Sequence, residues 1–141
     1  MADTVTPEVR SRMMSRVRSS DTKPEMVVRG LLHSMGYRFR VHRRDLPGRP
    51  DISFSAKRKA IEVRGCFWHQ HPDPNCAKST IPNTRRDWWE AKLAGNVLRD
   101  FRNEQALAEL GWQLLILWEC DLHPADQLSA RLADFLGPAR S

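Results

Sequence analysis

Apolar positions along the chain recur with two periods, and these divide it into elements. Val27, Val28, Leu31, Leu32 and Met35 keep helical spacing up to Gly36, and Thr22 with Glu25 forms a capping box, so the pattern predicts a helix over about 23–35. Tyr37, Phe39 and Val41 alternate with Arg38, Arg40 and His42, which predicts a short strand before the turn Leu46-Pro47-Gly48-Arg49-Pro50. Two more strands follow, with the basic tip Lys57-Arg58-Lys59 joining them as a hairpin. In one, Ile52 and Phe54 share a face and Asp51 and Ser53 the other; in the next, Ile61 and Val63 oppose Glu62 and Arg64.

Residues 66–83 are rich in Cys, His and Pro and follow neither period, so they read as a loop. Leu93, Val97, Leu98 and Phe101 predict a long helix over about 84–110, ended by Gly111. The run Leu114-Leu115-Ile116-Leu117-Trp118 predicts a strand covered on both faces. A last helix, about 125–136, offers Leu128, Leu132, Phe135 and Leu136 to the core. Residues 7–19 form a basic helix or arm whose only apolar positions are Val9, Met13, Met14 and Val17, too few for a core helix. The expected architecture is α/β, a small mixed sheet flanked by helices, in one domain over 1–141: a basic arm to residue 20 and a core from 21.

Charge and cysteine usage narrow the partners. The net charge of +6 lies in residues 1–49, which hold eleven Arg or Lys against five Asp or Glu; the rest balances at twelve each. A basic leading segment on a neutral body suits a polyanion, although a solvated charged surface has the same composition. No run of about eighteen apolar residues exists, and MADTVTPEVRSRMM lacks the apolar stretch of a signal peptide, so a cytoplasmic, membrane-free protein is expected. Three cysteines, an odd number, fit a metal site or free thiols better than a disulfide framework.

Two constellations carry chemistry. If the hairpin pairs as drawn, Asp51 lies beside Glu62, and the two carboxylates with the Val63 carbonyl make a hard oxygen site for Mg²⁺, with Arg64 at hand for a phosphate. Two surface carboxylates on a solvated sheet are the alternative. The pattern resembles the PD-(D/E)xK nuclease superfamily, with Arg64 where lysine usually stands. The second constellation is Gly65-Cys66-Phe67-Trp68-His69-Gln70-His71 with Cys76 and Cys120: Cys66, His71, Cys76 and Cys120 match a closed tetrahedral Zn²⁺ site, against the alternative of buried thiols and surface histidines. His69, two residues from His71, is free to point to a phosphate as general acid or base. Phe67, Trp68 and Trp89 are either core or flat rings able to wedge between base pairs.

Leu46-Pro-Gly-Arg-Pro-Asp51, Gly65-Cys-Phe-Trp-His69, Thr84-Arg85…Trp89, Gly95-Asn96-Val97…Arg99-Asp100 and Leu110-Gly-Trp…Trp118-Glu-Cys120 together resemble the very-short-patch repair endonucleases over roughly residues 10–122. That resemblance implies a restriction-endonuclease-like core acting on double-stranded DNA with a T:G mismatch, nicked 5′ to the thymine. It implies Asp51 and the Val63 carbonyl as Mg²⁺ ligands, His69 as acid/base group with Asp100 as its acidic partner, and Glu25 at an active-site position. It also implies zinc on Cys66, His71, Cys76 and Cys120, wedges Phe67, Trp68 and Trp89, and Met14 and Val17 meeting them from the minor groove. The chain departs from the family pattern at Arg64, often histidine, and at Glu62, often non-acidic. An asymmetric lesion needs no two-fold symmetry, so a monomer is expected. The rival readings are a defence nuclease cutting matched DNA and a non-catalytic zinc-stabilised DNA-binding module.

Overall fold

A computed structural model of the chain describes residues 21–139. The elements run α1 (Lys23–Ser34), β1 (Arg40–Val41), β2 (Ile52–Phe54), β3 (Lys59–Arg64), α2 (Arg86–Glu109), β4 (Gln113–Trp118) and α3 (Ala125–Leu136), with short 3₁₀ turns at Ala77–Ser79 and Glu119–Asp121. The strands form one sheet in the order β1-β2-β3-β4. β1 to β3 pair antiparallel, and β4 joins β3 in parallel after the α2 crossover, so the sheet is mixed as expected.

Strand parity decides what each face meets. Ile52 and Ile61 point into the main core with Val28 and Leu32 of α1, Leu117, and Leu128, Leu132 and Leu136 of α3. Burying each such side chain contributes about 1.5–3 kcal/mol. Ala60, on the opposite face of β3, packs in a smaller cluster with Leu46 and Leu107 of α2. Two residues along that face come Glu62 and then Arg64. The α2 face of β3 therefore passes from apolar to charged along one strand. Gly48, at φ +76°, locks the 46–50 turn against α2: a Cβ there would come within 2.9 Å of the Asn103 Cβ.

Four expectations shift. The strand foreseen from Tyr37 is only Arg40–Val41, because pairing begins at Arg40↔Ser53; Tyr37 still reaches the core ahead of it. The long helix starts at Arg86, with Arg85 in the left-handed region at φ 55°. Of its predicted stripe, only Leu93 is buried, while Val97, Leu98 and Phe101 are 43, 49 and 57% exposed. Helix α2 is pinned instead through Trp89, Leu93, Asn96 and Leu107. Finally, among the described residues β4 is an edge strand, and only its Leu117 is fully buried; its apolar run reflects partial cover. Met14 and Val17 lie outside the described residues.

Candidate active site and metal centre

Asp51 sits one residue before β2, opposite Glu62 of β3 in the continued hairpin register. Its Oδ2 accepts a hydrogen bond from the Val63 backbone N–H at 2.7 Å, while its carbonyl accepts from the His42 N–H at 3.1 Å. Burial, only partly offset by the Val63 bond, together with the charges of Glu25 and Glu62, pushes the Asp51 carboxyl up to about 7. A half-buried acid that feels the charges of two others is a place where a bound cation would be favourable.

Glu25 enters this cluster from the first turn of α1. Thr22 Oγ1 accepts from the Glu25 N–H at 3.4 Å, as a capping box requires, but the Glu25 carboxylate reaches back to the Asp21 N–H at 3.2 Å instead of that of Thr22. The carboxylate is 2% exposed, with Arg29 Nη1 at 3.2 Å and His42 Nε2 at 2.7 Å from its Oε2. Capping and cluster membership therefore coincide in one side chain. His42 was not singled out in the sequence, where it reads as one polar position in an alternating strand.

On the other flank, His69 Nδ1 lies 2.6 Å from Asp100 Oδ2, joining the loop to α2. Arg64, expected at hand for a phosphate, is held instead in ion pairs. It is 5% exposed, with Nε 2.9 Å from Glu62 Oε2 and Nη2 2.9 Å from Glu104 Oε2. Burial pushes the Glu62 carboxyl up, against the pull of Arg64. Glu104 is a second residue that sequence spacing missed, although it lies one helical turn beyond Asp100 on the same face.

The loop after β3 is folded by its own turns, His69 N–H to Gly65 O at 3.1 Å and His71 N–H to Cys66 O at 2.9 Å. Cys66, His71, Cys76 and Cys120 converge, their ligand atoms all within 4.8 Å of one another, and form a group able to hold a metal ion. Thiolates around a tetrahedral zinc stand about 3.8 Å apart, given ~2.3 Å bonds, so the donor set fits that ion. Burial pushes the Cys66 thiol up to about 12. Trp118 stacks on His71 at 4.4 Å on one side, and Arg64 lies 6.0 Å from its ring centroid.

Phe67, Trp68 and Trp89 form an aromatic cluster, with ring centroids 5.1 to 6.0 Å apart. Phe67 and Trp68 are half-buried, and Trp89 is the base of the cluster at 7% exposure. Buried Asn96 donates from Nδ2 to the Trp68 carbonyl at 3.2 Å and so fixes the loop to α2.

The family model described as DNA mismatch endonuclease Vsr matches residues 2–78. The chain belongs to the Vsr family. It is a DNA endonuclease, and its relatives carry the same activity in their names. This Vsr-family chain is 48% identical over 139 residues to the type II nicking enzyme V.XorIIP of Xanthomonas oryzae pv. oryzae, covering 99% of this chain and 100% of that protein. It is 40% identical over 129 residues to the DNA mismatch endonuclease Vsr of Escherichia coli, covering 92% and 81%. Among solved structures, the catalytic domain of homing endonuclease I-Bth0305I superposes with a TM-score of 0.58 at 21% identity, over 86% of this chain and 100% of that one, a likeness of fold. No helix among the described residues is long and apolar enough to cross a membrane.

Proposed function

We propose that this Vsr-family endonuclease nicks the T-containing strand 5′ to the thymine of a T:G mispair by Mg²⁺-dependent phosphodiester hydrolysis, as a monomer, with a structural Zn²⁺ at the four-residue cluster. The observation that carries the reading is Asp51, half-buried and raised by the charges of Glu25 and Glu62, with the His69–Asp100 pair beside Glu62. Asp51, one oxygen of Glu62 and the Val63 carbonyl would hold Mg²⁺, which supplies charge stabilisation at phosphorus and an acidified water.

The protein's own groups do the rest. With Nδ1–H donated to Asp100, His69 keeps Nε2 as its basic nitrogen, able to take a proton from the attacking water or return one to the leaving oxygen. Arg64 cannot share that task, because a guanidinium keeps its protons at neutral pH. The half-buried Phe67 and Trp68 sit one to two residues from His69, so rings that enter an unstacked mismatch bring the scissile phosphate to the same loop. The names of the relatives, nicking enzymes and a mismatch endonuclease, support single-strand cutting.

The test is single-turnover cleavage, with Mg²⁺, of labelled duplexes carrying T:G, T:A or C:G at one position in varied flanks. A nick confined to the T strand of T:G duplexes is expected; equal cutting of matched duplexes would replace this reading with a defence-type nuclease. In the same assay His69→Ala should slow the chemical step by about 10²–10⁴-fold, with DNA affinity nearly unchanged. An equal rate in that variant would remove His69 from the proton transfer.

A further inference from the structure

We infer that Glu104 is a positioning residue for the metal site: by holding the far end of Arg64 it leaves one oxygen of Glu62 open to the cation. The inference rests on the magnesium reading given above. Arg64 reaches Glu62 through two nitrogens, Nε at 2.9 Å and Nη2 at 2.8 Å, and both fall on the same oxygen, Oε2. Among the described residues no hydrogen bond falls on Glu62 Oε1. A guanidinium facing a carboxylate ordinarily closes a two-bond fork over both oxygens. Here Nη2 is shared with Glu104 Oε2 at 2.9 Å, and the Trp118 ring centroid lies 6.0 Å from the guanidinium.

The arrangement suits a metal that takes one oxygen from each carboxylate and requires near-octahedral geometry. Without Glu104, Arg64 is free to slide into the full fork over Glu62 and occupy the oxygen the cation needs. Helix α2 then supplies two carboxylates one turn apart with parallel duties: Asp100 orients His69, and Glu104 orients Arg64. Neither Glu62, Arg64 nor Glu104 is explained singly; as a set, the arginine turns Glu62 to present one oxygen.

The experiment compares the full chain with Glu104→Ala, Glu104→Gln, Glu62→Ala and Asp51→Asn. Mn²⁺ binding is read by electron paramagnetic resonance without DNA, and Mg²⁺ half-saturation and kcat are read in the nicking assay. Glu104→Ala should weaken Mn²⁺ about tenfold or more and raise the Mg²⁺ half-saturation in step, with kcat restored at high Mg²⁺. Glu104→Gln, which keeps an acceptor for Arg64, should recover most of the affinity. An unchanged Mn²⁺ affinity in Glu104→Ala overturns the inference, as does a loss that Glu104→Gln fails to recover or that comes with a lowered melting temperature. If Glu62→Ala and Asp51→Asn also leave Mn²⁺ binding intact, it is the magnesium reading that fails.

Discussion

Asp51→Asn should abolish nicking and yet make the protein more stable at mildly alkaline pH. The substitution removes a carboxylate proposed to hold the metal, whose charge stabilisation is worth several kcal/mol, so the rate should fall about a thousandfold or more. The stability gain follows from the position of the acid. The folded-state value of about 7 lies above the ordinary 3.8, so the folded protein takes up a proton at Asp51 between these two values. That contribution is fully present below about 4 and is lost as pH rises through about 7, where a buried anion must face Glu25 and Glu62. Asparagine keeps an oxygen for the Val63 N–H and carries no charge. Urea unfolding in magnesium-free buffer should therefore show the variant more stable by a few kcal/mol at about pH 8, with the difference shrinking toward about pH 4. A difference that does not vary with pH would mean that burial leaves Asp51 unperturbed.

Cys66→Ser and Cys120→Ser should each cost more than any single core truncation. Their sulfurs join the end of β3 to the turn after β4, through a loop that contributes no residue to the main core, although Cys66 itself is buried. Structural zinc contributes roughly 10–16 kcal/mol of apparent binding energy in small domains. Loss of one ligand should release the metal, lower the melting temperature by at least about 10 °C, and bring nicking to background, because His69, Phe67 and Trp68 ride on the same loop. Zinc content by atomic absorption alongside the melting curve is the check. A variant that stays fully folded and active without bound zinc would reduce the cluster to buried thiols.

The periods in the sequence were enough for the identity of nearly every element, because helix and strand are decided by which residues within a few positions can share one face. α3 runs Ala125–Leu136, as its leucine spacing predicts, and the hairpin pairs with Ile52 opposite Ile61, consistent with the parity of the two strands. The convergence of Cys66, His71, Cys76 and Cys120 was legible too, since cysteine and histidine have few other reasons to gather in a proline-rich loop.

What local patterning cannot say is how far an apolar stripe is covered or which distant charge meets which. Val97, Leu98 and Phe101 keep helical spacing but face outward, because the crossing of α2 over the sheet buries Trp89, Leu93, Asn96 and Leu107 instead. The same crossing lays Glu104 on Arg64, forty residues away, and turns an arginine that looked free for phosphate into part of a buried ion-pair network. His42, just after β1, meets Glu25 of α1 at 2.7 Å, a pairing that no local pattern gives. The sequence by itself determined the elements, the facing of alternate residues in the hairpin and the gathering of Cys and His types in one loop, all properties of neighbours along the chain. Tertiary structure alone decided the pairing of Glu104 with Arg64 and of His42 with Glu25, because the energy of a buried charge depends on partners that only the packed layers bring within reach.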